Sequence, residues 1–235
     1  MQTTKINYGI DAPNVIRNLS IAAIITFIVS VFFPVITIGS LTFLTGGLIY
    51  TAFACAFGAI IMLRYRLVGK FKHRDKMLNL INWRGDEQVL DVGTGRGLLM
   101  IGAAKKLSTG KSIGIDIWNA EDLSDNAMQN TLMNAQLEGV TDKIEILNED
   151  AQKMPFADAS FDVVFGLMCL HNIYNKPGRA KACSEILRVL KKGGTAVISD
   201  YKLVHEYADV FRSLGATVEK AGGGWFSTII KVQKI

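Results

Sequence analysis

Apolar positions are distributed very differently in the two parts of this chain. From Asn18 to Leu63 the sequence runs for 46 residues without an Asp, Glu, Lys or Arg. A bilayer core about 30 Å thick is crossed by about 20 apolar residues in a helix, and backbone inside lipid must satisfy its own hydrogen bonds. The pattern therefore predicts two transmembrane helices, near 19–36 and 42–63, joined by a tight turn at 37–40 just after Pro34.

The same apolar stretch is less typical of a signal peptide, an interfacial helix or a soluble hairpin. A cleaved signal peptide is disfavoured for two reasons. The apolar core of a signal peptide usually spans roughly 7–15 residues, fewer than the first apolar run here, and in this chain a second apolar span follows at once. An interfacial amphipathic helix needs a polar face, which this stretch lacks. A buried helical hairpin in a soluble protein stays as an alternative, since Gly46, Gly47 and Gly58 permit close helix packing in either solvent. In a bilayer the same glycines would let the hairpin oligomerise.

Beyond Lys76 the pattern changes to short apolar runs bounded by Gly and Asp, which alternate with segments of helical period. Such alternation is typical of an α/β domain whose parallel sheet is covered by helices on both faces. The last two strands are close in sequence and are expected to pair antiparallel. The predicted strands are Gln88–Val92, Ser112–Asp116, Ile144–Asn148, Val163–Leu167, Thr195–Ser199, Thr217–Lys220 and Ser227–Val232, with helices near 97–107, 124–138, 177–190 and 202–214.

The distribution of charge predicts how the two transmembrane helices are oriented in the membrane. Residues 64–76 hold six basic residues and one acid, a net charge equal to the +5 of the whole chain. Basic flanks stay on the cytoplasmic side of a membrane. We therefore expect an integral membrane protein with two spans, whose termini and α/β domain are both cytoplasmic. The cluster also predicts attraction to anionic membrane lipids, and because the basic excess is confined to it, nucleic-acid binding is not expected.

The predicted domains follow from these boundaries. They are an N-terminal cytoplasmic or interfacial segment (1–17), the transmembrane hairpin (18–63), a basic juxtamembrane linker (64–84) and the α/β domain (85–235).

The composition argues against two classes of protein. Only 4 prolines in a chain that is 49% hydrophobic argue against disorder. The three Cys lie far apart in sequence and predict no disulfide framework, and with only three His no Cys/His cluster has zinc-ligand spacing.

The most informative motif is a glycine-rich turn after the first strand of the α/β domain. The strand runs into Gly93-Thr94-Gly95-Arg96-Gly97, and glycines let the backbone pass closely under a ligand with positive φ. The dinucleotide fingerprint is G-x-G-x-x-G, whereas here the third glycine follows after one residue, which disfavours a nicotinamide oxidoreductase. No Lys-Ser/Thr follows, as a phosphate-binding P-loop requires. The turn predicts a nucleotide-like ligand of another kind.

Three further positions lie at the predicted carboxyl ends of neighbouring strands, where open α/β sheets bind ligands. Asp116 ends the second strand and can accept the ribose hydroxyls of an adenosine. It is followed by Ile117 and by Trp118, which either stacks on adenine or is ordinary core. After the third strand Asp150, before Ala151, can accept an adenine amino group. Gly166 lies in the fourth strand, whose end faces the same crevice.

Together these motifs resemble the class I S-adenosylmethionine-dependent methyltransferases over residues 85–235. The run Asp91–Gly97, the two acids, Phe161–Val164 and Glu185–Gly194 match that family's motifs in order. The resemblance implies a seven-stranded Rossmann-like methyltransferase sheet with helices on both faces, following the transmembrane hairpin. It implies S-adenosyl-L-methionine as cofactor and no metal. The cofactor-binding residues it implies are Asp91, Gly93, Thr94, Gly95, Gly97, Asp116, Ile117, Trp118, Asp150, Ala151 and Gly166.

Two segments resemble a membrane-anchored bacterial subgroup of the family, Tyr8–Pro13 and the long loop Trp118–Ser124. The family does not identify an acceptor. Asp91 and Asp162 are each also candidates for structural hydrogen bonding, and Cys169 is expected to be packed rather than nucleophilic.

Methyl transfer from a sulfonium depends mainly on alignment of the reacting atoms, and a base is needed only if the acceptor carries a proton. His171, after the fourth strand, is a candidate base, with cofactor contact or a structural role as alternatives. Tyr174 is a candidate on the acceptor side.

The hairpin suggests a small lipophilic or amphiphilic acceptor. The alternatives are a soluble acceptor, with the hairpin serving localisation or oligomerisation, and a non-catalytic cofactor-binding membrane module.

Overall fold

The computed structural model describes residues 5–224 and 227–235. Within it the chain forms two compact units. We call residues 9–70 and 120–124 the hairpin unit, and the residues before Gly9, residues 71–119 and those from Asp125 onwards the sheet unit. The sequence boundary predicted at 84/85 therefore does not coincide with the boundary between the units.

The hairpin unit contains two long apolar helices joined by a short β-hairpin. Its elements are α1 (Pro13–Phe32), β1 (Val35–Ile38), β2 (Leu41–Leu44) and α2 (Leu48–Arg64). The helices pack along each other, and Ser30 Oγ donates a hydrogen bond of 2.6 Å to the Gly46 carbonyl. By length and composition alone, two helical stretches could cross a membrane: Pro13–Phe32, with a mean hydropathy of 2.1, and Leu48–Leu78, with 1.7.

The connection between α1 and α2 differs from the prediction. Instead of helices reaching residues 36 and 42, β1 and β2 pair antiparallel from Val35↔Leu44 to Ile38↔Leu41. The chain still reverses at Gly39, whose φ is +61°. Pro34 has no N–H to continue a helix, and the β-branched residues that follow it favour extended backbone. The helical prediction for 33–36 and 42–47 was therefore wrong.

The segment 64–84, predicted as a linker, is largely helical. A π-helical turn at Tyr65–Gly69 follows α2, and α3 spans Lys70–Leu78. Within the sheet unit, Met77 and Leu78 are buried in one apolar cluster with Leu99 of the next helix. The linker prediction rested on charge density and overlooked these apolar positions, and residues 71–78 of α3 belong to the sheet unit.

The sheet unit is built on a seven-stranded mixed sheet, as the alternating pattern predicts. The strand order is β5-β4-β3-β6-β7-β9-β8. Neighbours from β5 to β7 are parallel, and β9 is antiparallel to both β7 and β8, which confirms the expected final pair. The strands are β3 (Gln88–Val92), β4 (Lys111–Asp116), β5 (Ile144–Asn148), β6 (Phe161–Leu167), β7 (Leu190–Asp200), β8 (Thr217–Gly224) and β9 (Ser227–Gln233).

Helices cover both faces of this sheet. They are α4 (Leu98–Ala104), α5 (Met128–Leu137), α6 (Lys176–Val189) and α7 (Val204–Ser213). Successive strand residues point to opposite faces: Leu90 of β3 is buried with Ile186 of α6, whereas the adjacent Val89 is buried with Leu99 of α4. This double burial explains the unbroken apolar runs of the central strands. It also leaves the carboxyl ends of β3 to β7 at one edge.

Candidate functional site

The turn from β3 to α4 has the backbone geometry that its glycines predicted. Gly93, Gly95 and Gly97 have φ of +68°, +52° and +85°, a region that side chains other than glycine rarely adopt. A Cβ added at Gly93 would overlap the Cβ of Cys169, in the loop after β6. The turn therefore passes directly against the β6 loop with no space for a side chain at Gly93.

Asp91 lies beneath this turn. Its carboxylate accepts hydrogen bonds from Thr94 Oγ1 and from the Met100 backbone N–H, both at 2.9 Å. Met100 is in the first turn of α4, where backbone N–H groups lack helical partners. Burial raises the pKa of the Asp91 carboxyl to about 7. The structure thus gives Asp91 and Thr94 a place in holding the turn onto α4, and their contact with a cofactor stays a prediction.

Asp116 joins the end of β4 to the glycine turn. Its Oδ2 accepts the Gly95 N–H at 2.8 Å, and its Oδ1 accepts the Trp118 N–H at 2.7 Å and Asn126 Nδ2 at 3.3 Å. Since a carboxylate offers about four acceptor positions, capacity for a ligand hydroxyl is left. Ile117, the next residue, is exposed. Trp118 Nε1 is buried and has no hydrogen-bond partner among the described residues.

The other predicted cofactor residues lie at the same edge of the sheet. The Glu149 N–H donates to the Asp116 carbonyl at 3.2 Å, which joins the end of β5 to that of β4. Asp150 is exposed, its carboxylate accepting the Gln152 N–H at 2.8 Å, and Ala151 follows it. Gly166 lies in β6 beside β3, where an added Cβ would be 3.2 Å from Ile198 Cδ1.

His171 is held by an acid that the sequence did not single out. Asp200, at the end of β7, is 1% exposed. His171 Nδ1 lies 2.8 Å from Asp200 Oδ1, and the His171 backbone N–H donates to Oδ2 at 3.2 Å. The Tyr201 ring packs edge-on against the imidazole, 4.6 Å between centroids. The signal for Asp200 was its position, because it ends a buried strand at the edge where the crevice was expected.

Tyr174 is not part of this group of contacts. Its ring is 88% exposed, while its backbone carbonyl accepts a hydrogen bond from Arg179 Nη1 at 2.9 Å. The same nitrogen bonds the Ile173 carbonyl, and Arg179 pairs with Glu206 of α7. Sequence reasoning missed Arg179, which fixes the loop carrying His171. Cys169 is packed as expected, and burial raises the pKa of its thiol well above the usual value.

Comparison with known proteins identifies the central part of the sheet unit. Residues 90–198 match the model of a family described as a methyltransferase domain. Demethylmenaquinone methyltransferase of Bacteroides fragilis is 33% identical over 125 residues, covering 53% of this chain and 47% of the relative. Sarcosine/dimethylglycine N-methyltransferase of Aphanothece halophytica is 31% identical over 119 residues, covering 51% and 39%. The chain spans less than half the length of these curated relatives.

The fold is shared with solved structures. A SAM-dependent methyltransferase from Aquifex aeolicus superposes with a TM-score of 0.57 at 21% identity, covering 69% of this chain and 89% of that one. Residues 90–198 therefore match a methyltransferase domain, and the chain shares the fold of a SAM-dependent methyltransferase. Both findings agree with the class that the motifs indicated.

The residues present fit S-adenosylmethionine. The glycine turn offers bare backbone, Asp116 keeps acceptor capacity for a ribose hydroxyl, and the indole N–H of Trp118 is an unused donor beside it. Among the described residues no cluster of His, Cys, Asp or Glu could hold a metal ion.

Proposed function

We propose, from the premise that residues 90–198 form an S-adenosylmethionine-dependent methyltransferase domain, that the whole chain is a membrane-anchored methyltransferase acting on a small lipophilic acceptor. The observation that carries the chemistry is the bare glycine turn tied by Asp116 to the end of β4. When bound, the cofactor supplies a methyl group on a positively charged sulfur. The residues of the chain then have to align an acceptor with that methyl group. The rate of methyl transfer depends mainly on this alignment of the reacting atoms.

Membrane anchoring is supported by the exposed surface of the hairpin unit. Large apolar side chains such as Ile24, Phe32, Phe53 and Phe57 are each roughly half exposed or more, and the sequence of α1 contains a single charged residue, Arg17. Such surface is unfavourable in water but matches a bilayer core. The basic cluster at 64–76 supports a cytoplasmic location for the sheet unit and binding of anionic lipids.

A lipophilic acceptor follows from this anchoring. An enzyme held at the bilayer surface meets amphiphiles at high local concentration, and one relative is named for a quinone, demethylmenaquinone. Another is named for sarcosine and dimethylglycine, so a soluble acceptor is the alternative that the experiment must separate.

The first test measures the donor site. Full-length protein in detergent should bind S-adenosylmethionine in titration calorimetry. Asp116→Ala should weaken binding at least about tenfold, because a charged acceptor of hydrogen bonds is lost. Asp209→Ala, which removes an exposed acid of α7, is the matched control and should bind normally. Equal binding by Asp116→Ala and the control would contradict the assigned site.

The second test measures location and acceptor. The chain should stay with membranes in a carbonate wash and be released by detergent. Labelled cofactor incubated with the reconstituted protein and a total lipid extract should give label in the organic phase. Label confined to the aqueous phase would support the soluble-acceptor alternative, and release of the chain by carbonate would contradict the anchor.

A further inference from the structure

Asp200 is a buried acid whose one recorded ion-pair partner among the described residues is His171. Its carboxylate accepts hydrogen bonds from the Tyr201 N–H at 2.8 Å and from Tyr207 Oη at 3.4 Å, besides the His171 N–H. Within the described residues no Lys or Arg forms an ion pair with it. A buried carboxylate is costly unless a positive charge can pair with it. The group placed to carry that charge is the His171 ring, 2.8 Å away at Nδ1.

His171 is also close to the turn that would hold the cofactor. It lies two residues after Cys169, whose Cβ occupies the space against Gly93. Its side chain is 14% exposed, and Nδ1 faces Asp200 Oδ1 at an ion-pair distance of 2.8 Å without forming an aligned hydrogen bond. Tyr201 packs against the imidazole, with the Lys202 ammonium 5.1 Å from the centroid of the Tyr201 ring, and Tyr207 Oη donates to the same Asp200 carboxylate.

We propose that Asp200 is a positioning residue that fixes His171 with Nε2 free to take a proton, and that the acceptor presents a hydroxyl group. The inference rests on the proposed methyltransferase function and names its acceptor chemistry. In the step, the acceptor O–H bond breaks and its proton goes to Nε2. The oxygen electron pair forms the bond to the methyl carbon, and the electron pair of the carbon–sulfur bond leaves with sulfur. The Asp200 carboxylate balances the imidazolium charge that forms.

The probe is an alkyl catechol in phospholipid vesicles, assayed with labelled cofactor and full-length enzyme. His171→Gln should slow transfer at pH 7 by about a hundredfold or more, the usual size of general-base catalysis. Raising the pH should partly restore this variant, because the catechol then ionises without a base. His205→Gln, an exposed histidine on α7, is the matched control and should be unaffected.

Asp200→Asn separates positioning from a merely structural role. Because the Asp200 carboxylate offsets the charge of the imidazolium that forms in the step, Asp200→Asn should lower kcat while the KM for the catechol and the affinity for the cofactor stay unchanged. Asp200→Glu, which keeps a carboxylate, should restore part of kcat. A structural role alone would raise KM or weaken cofactor binding together with the fall in kcat.

The outcomes distinguish this inference from the proposed function. Absence of cofactor binding by the unsubstituted enzyme would overturn both. Normal cofactor binding combined with no transfer to the catechol, full activity of His171→Gln, or an unchanged kcat of Asp200→Asn would each overturn the inference alone.

Discussion

Gly93 shows how one residue can couple the glycine turn after β3 to the loop after β6. Its positive φ excludes most side chains, and its missing Cβ is the space into which Cys169 packs. Gly139, after α5, has nearly the same φ, +69°, but has no heavy atom within 4 Å of an added Cβ. The two glycines therefore carry the same backbone cost and differ in packing.

Substitution of these glycines should separate the two effects. Gly139→Ala should cost only the left-handed backbone strain, about 1–2 kcal/mol, and leave cofactor binding intact. Gly93→Ala should add the overlap with Cys169, displace the turn and weaken cofactor binding at least about tenfold. Thermal melting and calorimetry on both variants measure this, and equal cofactor affinity in the two would contradict the packing argument.

The site was predicted from the sequence only as far as local motifs reach. The glycine turn and Asp116 stand in a contiguous strand–turn–helix pattern, so their relation could be inferred. Asp200 and His171 are 29 positions apart and meet only because β6 and β7 are parallel neighbours. No spacing rule applied to a single sequence predicts that Asp200 and His171 are in contact.

At the scale of elements, α3 is attached to the sheet by a buried histidine. His73 Nε2 lies 2.7 Å from Ser199 Oγ, which also bonds the Thr228 carbonyl. Burial lowers the pKa of His73 to about 4. In the sequence this histidine lies within the basic cluster at 64–76. Its burial follows from the apolar face of α3, which the charge pattern had hidden.

The pH dependence of stability should reveal this histidine. Unfolded His73 takes up a proton near pH 6.5, whereas the folded ring stays neutral to about pH 4, so its contribution is complete above 6.5 and is lost as the pH falls towards 4. The linked change is roughly 3 kcal/mol. The free energy of unfolding of the unsubstituted chain, minus that of His73→Gln, should fall by about that amount between pH 7 and 4.

The subtraction is needed because other groups titrate in the same range. Asp91 acts in the opposite direction, since burial raises its pKa to about 7. A difference between the two proteins that stays constant from pH 7 to 4 would contradict the neutral, buried state of His73.

The success of the element predictions followed the strength of the local pattern. The bounds of β3 and β5 agree with those expected, because short apolar runs flanked by Gly and Asp are readily interpreted as buried strands. α5 starts at Met128 rather than near 124, after Asp125 adopts a φ of +52°. The β-hairpin between α1 and α2 was missed because apolarity alone does not separate strand from helix.

At the scale of the whole molecule, the sheet unit begins earlier than its motifs. Met77 and Leu78 of α3 are buried among residues of β3 and α4. A fragment of residues 71–235 should therefore retain this cluster, whereas one of residues 85–235 should lose it. Burial of the two side chains contributes about 3 kcal/mol or more. Circular dichroism melting of both fragments should show the shorter one melting at a clearly lower temperature.

The N-terminal residues 5–8 allow a third fragment to be included in this melting experiment. Tyr8 Oη donates to Glu138 Oε1 at 2.8 Å, and the Asn7 backbone N–H donates to Asn134 Oδ1 at 3.0 Å. Joining residues 5–8 to the fragment of residues 71–235 through a short flexible linker should raise its melting temperature. Equal melting of all three fragments would contradict the unit boundary described here.

Tyr8 and Phe71 pack edge to face, with ring centroids 5.8 Å apart. The polypeptide thus departs from the sheet unit and comes back to nearly the same point after 62 intervening residues. For a chain inserted in a bilayer, a departure and a return at one point require an even number of crossings. An odd number of transmembrane spans between Tyr8 and Phe71 would place the two residues on opposite sides of the membrane and is incompatible with this ring contact.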